Sequence, residues 1–446
     1  MVLIHGGGFE MGEGSVYDRT SLALTGDVIV VSFNYCLGIF GFLSTGDSAS
    51  RGNFGLWDQR LAIQWVKDHI AEFGGNLSSI TIFGQSAGGF SVFFKSVPPL
   101  NGNLFHRAVA GSGFGSWQGE LFHDTLEITN AVADSVSCPS VNGVVNTSVL
   151  MNCMRNRSAA ELVFAMEGAM APYIVSGRTI FRTLKMVVID GEIIPADPFD
   201  LMKNRYRIPV NGMANQYTSI DLLTGLNDGD GSIIYYISLL TLQDRYNYNV
   251  TEGVSTCVMC DVLSPLLSQE HFHGNIDISQ AICLNYTSNG DKMKQGQRIT
   301  DFCRDYLFVW RTLLALRAHE LSSNYSTYMY VFSHRPEERG LVPSRLRPSW
   351  LSGANHGDEV AFALGLDDFY MNITNISDEE THLSRVMMSY WSNFAKYGNP
   401  NGPGLVQWPK FDAVNGNYLN LDMNNPVDHH PFKEADEFGL ESKQRF

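Results

Sequence analysis

The sequence predicts an α/β fold: a doubly wound, mostly parallel central sheet with helical insertions. Three observations predict it. The runs "MVLIH" and "DVIVVSFNY" are apolar and β-branched without polar alternation, as in strands buried on both faces of a parallel sheet. Helical patterns alternate with such strands through the first part of the chain. The 446 residues are 44% hydrophobic and 17% charged, enough for a large globular core. No repeat, low-complexity tract or linker interrupts the chain, so residues 1–446 read as a single domain.

The elements follow in order. After the first two strands, "LWDQRLAIQWVKDHIAEFGG" places Leu56, Leu61, Ile63, Trp65, Val66, Ile70 and Phe73 at helical spacing and stops at a glycine pair, a C-cap signal. "SSITIFG" is the next strand, a helix follows Ser86, and "FHRAVAGSG" is another strand. Residues 120–300 are less regular, richer in Asn, Ser and Tyr, and suit helical insertions; within them "IIYYISLLTL" suits a buried helix or strand. "STYMYVFSH" returns to a strand, and "RVMMSYWSNFAKYG" is an amphipathic helix. No apolar run is long enough to span a bilayer.

A net charge of −15 disfavours nucleic acid as a partner, because phosphates are repelled. The seven cysteines, Cys36, Cys138, Cys153, Cys257, Cys260, Cys283 and Cys303, leave at least one thiol unpaired within the chain. "CVMC" at 257–260 has the spacing of a zinc or redox site, but no second CxxC or HxxxH follows, so no metal is expected. In an oxidising compartment Cys138 and Cys153 could bridge a polar loop; pairing among the last four cysteines is open. Asn-X-Ser/Thr sequons at Asn76, Asn146, Asn156, Asn249, Asn285, Asn324, Asn372 and Asn375 point to a secreted glycoprotein. The sequence opens on a strand rather than on a leader, which conflicts with secretion unless Met1 is internal to a longer chain. Its end, "SKQRF", is not a KDEL-like signal, which favours secretion over retention in the ER lumen.

Chemistry concentrates at "IFGQSAGGF", residues 82–90. "GQSAG" fits G-x-S-x-G between a strand and a helix, where glycines relieve a tight turn that exposes the serine. Ser86 is therefore a candidate nucleophile. Acyl transfer also needs donors for an oxyanion. The N–H of Ala87 is one, and "HGGGF" at 5–9 offers those of Gly7 and Gly8. His5 reads as a brace of that loop. Of the twelve histidines, His356 in "GANHGDEVAF" lies between small residues at a loop-to-helix boundary and is a candidate base. His271, His273, His382, His429 and His430 sit in polar stretches, and His69, His106 and His319 lie inside element-like runs. "GLNDGDGS" offers Asp228 and Asp230 as the acid. A calcium loop is excluded there, since Leu226 and Ile237 would fall at its first and twelfth positions.

These residues sit in blocks that resemble the type-B carboxylesterase and cholinesterase family of α/β-hydrolases. "HGGGFEMG", "NYCLGIFGFLSTGD", "RGNFGLWDQRLAIQWVKDHIAEFGGN", "ITIFGQSAGG", "LFHRAVAGSG", "VIDGEIIPADP", "YVFSHRP", "HGDEVAFALG" and "YWSNFAKYGNPN" occur in family order along nearly the whole chain. The blocks look most like carboxylesterases and bile-salt-activated lipase. The resemblance implies the α/β-hydrolase fold and a serine esterase acting on carboxyl or lipid esters without a cofactor. It makes Ser86 the nucleophile, His356 the base and Asp230 the acid, with Gly7, Gly8 and Ala87 as the oxyanion hole. It places Ser112 and Gln85 behind the triad and makes Cys138–Cys153 a family disulfide loop.

Three departures qualify the match. Gln85 stands where most members have glutamate, which speaks against choline esters. Cys36 replaces a usual arginine. The sequence begins at the oxyanion strand, so the N-terminal strands of the fold are missing from it as it stands. The rival expectations are a catalytically silent, cholinesterase-like adhesion protein and an inactive fragment. An intact triad weighs against the first. The acyl specificity and oligomeric state are not legible.

Overall fold

The computed structural model describes residues 1–446 apart from 117–120, 122–124, 142–145, 176–186, 204–215, 236–238, 240–242, 244–248, 272–273, 337–346, 367–375 and 438–446. Among the described residues ten strands are found: β1 Val2–Ile4, β2 Val31–Ser32, β3 Ser44–Asp47, β4 Ser50–Arg51, β5 Thr81–Gln85, β6 Arg107–Gly111, β7 Asp221–Asn227, β8 Thr327–Phe332, β9 Asn417–Leu421 and β10 Val427–His429. Eight of them form one sheet in the order β10-β9-β8-β7-β6-β5-β1-β2. It is parallel from β2 through β9, and β10 returns antiparallel. Strand order reverses beside β1, which is what a doubly wound sheet requires.

Alternation along the strands divides the core into two layers. Val2, Ile4, Ile82, Ala108 and Leu222 face one side, where they join Leu56, Ile63 and Val66 of the helix Phe54–His69 and Phe93 of the helix Ala87–Ser96. Leu3, Phe83, Val109, Leu223 and Tyr328 face the other and meet Leu383, Met387, Trp391 and Phe394 of the helix Asp378–Tyr397. The helix Asp378–Tyr397 starts on a Ser377 cap that accepts from the Glu380 N–H and ends at left-handed Gly398. Between β6 and β7 the described residues form helices, as the irregular middle of the sequence predicts.

Two expectations need correction. "DVIVVSFNY" supplies only the two residues of β2, half-buried, because among the described residues this strand pairs with β1 alone, at the end of the sheet. The helix after it does not bury all seven of its regularly spaced apolar residues. Leu61, Trp65 and Phe73 are 68%, 48% and 62% exposed. Trp65 packs on His69 and on Phe73, which lies in the short turn Ile70–Phe73 beyond the helix Phe54–His69. Of "IIYYISLLTL", Ile233 to Tyr235 are helical and most of the rest lies outside the described residues.

Lys95 is the least expected core residue. It is fully buried in the helix Ala87–Ser96, and its Nζ has no hydrogen-bond partner among the described residues. Burial, reinforced by the nearby Arg60 charge, pushes its amine down to about 7 against the attraction of Asp190.

Candidate active site

Ser86 occupies the turn between β5 and the helix Ala87–Ser96 with φ 58° and ψ −125°, a conformation that L-residues rarely adopt. Its N–H donates to the Gly111 carbonyl at 2.9 Å, and its own carbonyl accepts from the Phe90 N–H at 2.9 Å, so both flanks hold the strained residue. The turn is tight enough to dictate its neighbour: a Cβ on Gly88 would stand 2.1 Å from the Ile4 carbonyl oxygen. Ser86 is thus presented at the carboxyl end of a central strand, the edge of the sheet where α/β folds place ligands.

The glycine loop follows β1 beside it. Gly7 and Gly8 have φ of 107° and 64°. The Gly7 carbonyl is taken by the N–H groups of Glu10 and Met11, which turns the peptide so that donors face the opposite way. Among the described residues the N–H groups of Gly7, Gly8 and Ala87 donate to no protein acceptor. His5 braces the loop as expected. Its ring stacks on Tyr35 at 4.3 Å, its Nδ1 lies 2.8 Å from the Gly6 carbonyl, and the Tyr35 hydroxyl donates to the His5 carbonyl at 2.9 Å.

His356 and Asp230 come from loops 126 residues apart in sequence. Asp230 opens a short turn after β7 and is fully buried. One oxygen lies 2.8 Å from His356 Nδ1; the other accepts from the Asn227 N–H at 2.8 Å. The His356 backbone N–H donates to Ser232 Oγ at 3.0 Å, and Phe308 stacks on the imidazole at 5.1 Å. These contacts fix the ring with Nδ1 toward Asp230 and Nε2 outward. Asp228, the other acid considered, turns away from the imidazole. Its Oδ1 accepts from the Ala354 N–H, and burial pushes its carboxyl up to about 6.

The histidine's outer nitrogen meets an unexpected partner. Gln85 Nε2 lies 3.3 Å from His356 Nε2, and among the described residues Ser86 Oγ makes no hydrogen bond to the ring. With Nδ1–H given to Asp230, Nε2 is an acceptor, and the Gln85 amide is the donor that occupies it. Hydrogen bonds to a catalytic base are often long or unformed without substrate and tighten in the complex.

A buried acid behind the ring is absent from the sequence reading. Glu359 Oε2 accepts from Asn227 Nδ2 at 2.6 Å, while Oε1 has no partner among the described residues. Burial, with the Asp230 charge adding to it, pushes the Glu359 carboxyl up from its ordinary value. Gln85, Gly111, Tyr330 and Glu359 line a cavity of about 40 Å³, room for a water molecule. An acidic pair directly after "HG" and running into an apolar helix was the available signal.

Ser112 is buried with φ 47°, and its Oγ has no hydrogen-bond partner among the described residues. Cys138 and Cys153 are disulfide-bonded, and so are Cys260 and Cys283; Cys36 and Cys257 are exposed thiols and Cys303 a buried one. Asn76, Asn146, Asn156, Asn249, Asn285 and Asn324 are exposed, whereas Asn372 and Asn375 lie outside the described residues, as does His273. His319 is buried between Thr327 and the Ile220 carbonyl, well away from this constellation in its contacts.

The sequence matches the family model described as the carboxylesterase family over residues 1–439. Carboxylesterase 1D of Mus musculus is 33% identical over 431 residues, which cover 94% of this chain and 69% of that protein. Acylcarnitine hydrolase of Rattus norvegicus is 34% identical over 433 residues, 96% of this chain and 69% of the relative. Bile salt-activated lipase of Rattus norvegicus is 33% identical over 455 residues, 97% and 67%.

Proposed function

The chain belongs to the carboxylesterase family and has its α/β-hydrolase fold, and on that premise we propose that it hydrolyses carboxylic esters through an acyl-enzyme formed on Ser86. The observation that carries this reading is the convergence of three independently delivered parts. A strained, glycine-flanked serine, a histidine pinned at Nδ1 by a buried aspartate, and three uncommitted N–H groups meet at one edge of the sheet.

In the resting state Asp230 accepts the Nδ1 proton of neutral His356, leaving the Nε2 lone pair toward Gln85. Substrate entry lets Ser86 Oγ take the place of the Gln85 amide at Nε2. His356 removes the hydroxyl proton as Oγ attacks the ester carbonyl, and Asp230 stabilises the imidazolium that forms. The carbonyl oxygen, now negative, takes the N–H groups of Gly7, Gly8 and Ala87; one such donor is typically worth about 3–4 kcal/mol in the transition state. His356 then protonates the leaving alcohol, and water, activated by the same histidine, releases the acid and restores Ser86. Gln85 suits both halves of this cycle, because its amide can donate to neutral imidazole and its carbonyl can accept from imidazolium.

The substrate class is carboxyl or lipid esters. Exposed sequons and two disulfides favour passage through an oxidising, secretory compartment. Among the described residues no helix is long and apolar enough to cross a membrane. Hydrolysis of a short-chain p-nitrophenyl ester by the chain, beside Ser86→Ala, tests the proposal. Turnover lost in the variant supports it, and equal turnover in both sinks it.

A further inference from the structure

We propose that Cys257, Cys260 and Cys283 form a thiol–disulfide exchange centre in which the exposed Cys257 thiol attacks the Cys260–Cys283 disulfide. The esterase reading leaves the "CVMC" motif unused, and no part of this site touches Ser86, His356 or Asp230. The structure spends only the second cysteine of the motif, pairing Cys260 with Cys283 of the helix Ile276–Tyr286 and leaving Cys257 free.

The placement favours attack. Cys257 immediately precedes the π-helical turn Val258–Leu263, which runs on into the helix Ser264–His271. Three residues apart on a helical turn, Cα atoms lie about 5 Å from one another, inside the roughly 4.4–6.8 Å range a disulfide spans. Cys257 is exposed and Cys260 and Cys283 are half-buried. Cys257 sits in the first turn of a continuous helical run, ahead of Cys260 and on the exposed side of it. Each sulfur also has a hydroxyl beside it. Ser255 Oγ is 3.1 Å from Cys257 Sγ. Thr287 Oγ1, which donates its proton to the Cys283 carbonyl, is 3.1 Å from Cys260 Sγ and 3.8 Å from Cys283 Sγ and so lies against both sulfurs of the disulfide.

The step balances without an outside oxidant. Cys257 gives its proton to solvent, and its thiolate forms a bond to Cys260 Sγ as the Cys260–Cys283 bond breaks. Cys283 leaves with the electron pair and takes up a proton. One disulfide and one thiol are present before and after. The product frees the helix Ile276–Tyr286 from its covalent tie to Cys260, while its buried Ile278, Ile282 and Tyr286 and contacts such as Ser264 Oγ with Ser279 Oγ at 2.8 Å remain. Cys138–Cys153 has no third cysteine near it in sequence and serves as the internal control.

The test is disulfide mapping of the whole chain after incubation at pH 8.5 or pH 5, acid quench and blocking of free thiols with N-ethylmaleimide. Cleavage after Glu252 and Glu270 separates Cys257 and Cys260 from Cys283. We expect residues 253–270 to appear with an internal disulfide, and maleimide on Cys283, in a fraction that grows at pH 8.5. At pH 5 growth should be at least a hundredfold slower, as the thiolate population falls. Cys257→Ser should retain only Cys260–Cys283. In a glutathione redox buffer Cys283→Ser should form Cys257–Cys260. Folded wild type that shows only Cys260–Cys283 with maleimide on Cys257 after a day at pH 8.5 overturns the proposal, and so does folded Cys283→Ser in which both remaining thiols stay free.

Discussion

Replacing Lys95 by methionine should stabilise the protein, and the gain should depend on pH. Methionine keeps the length and the apolar stem and removes the amine that the core leaves without a partner. Burial lowers the Lys95 amine from 10.5 to about 7. At ~1.4 kcal/mol per pH unit that depression corresponds to roughly 4–5 kcal/mol, and to about 4 kcal/mol at pH 7, where the buried amine is half protonated. The unfolded chain keeps this proton up to pH 10.5 and the folded chain releases it near 7. The unfolded state therefore binds more protons between those values, so wild-type stability rises with pH through that window and is flat in this group below it. Lys95→Met removes the penalty: it should gain about 4 kcal/mol at pH 7 and only about 2 kcal/mol at pH 9. For 446 residues at ~2.1 cal/mol/K each, a 4 kcal/mol gain raises Tm by roughly 4 °C. Calorimetry of both proteins at the two pH values reads the difference. A variant that melts lower, or a gain that is the same at pH 7 and pH 9, refutes the reasoning.

Other outcomes follow from the site. Gln85→Glu places a carboxylate where the amide now meets His356 Nε2, which favours imidazolium; the acid limb of kcat/KM should move up by about 1–2 pH units, and an unmoved limb removes Gln85 from the histidine's surroundings. Asp230→Asn leaves the Nδ1 proton without its acceptor and should lower kcat by about 10⁴-fold with little change in KM; a loss below tenfold, read by steady-state kinetics, assigns the acid elsewhere. Gly7→Ala would set a Cβ 2.1 Å from the Met11 carbonyl oxygen at a φ of 107°. The loop must shift, so kcat/KM should fall by about 10²-fold or more, and an unaffected rate in a protein of unchanged Tm would take the loop out of the oxyanion site.

Much of this was legible where local pattern and chemistry agree. The strand–turn–helix around Ser86 is dictated by steric rules that act within five residues, and a sequence displays them directly. The sheet's interior strands were equally plain, since burial on both faces leaves continuous apolar runs in β1, β5 and β6. At the end of the sheet the same composition misled: among the described residues Val31 and Ser32 pair on one side only, and hydrophobic runs do not reveal which side a strand lacks. Trp65 and Phe73 fit the helical period yet face outward, because periodicity predicts a stripe and not what covers it. The pairing of Asp230 rather than Asp228 with His356 depends on the bend after Asn227. Lys95 and Glu359 were missed for a common reason. Their meaning lies in the low dielectric and missing partners around them, which tertiary packing creates.

The claim that Ser86 is an activated nucleophile is tested most directly by a fluorophosphonate probe with peptide mapping, on the whole chain and on Ser86→Ala. The account predicts one adduct, on Ser86, formed by the folded chain and absent from the variant. Folded protein that takes no label, or a variant that labels as fast as the wild type, would contradict it.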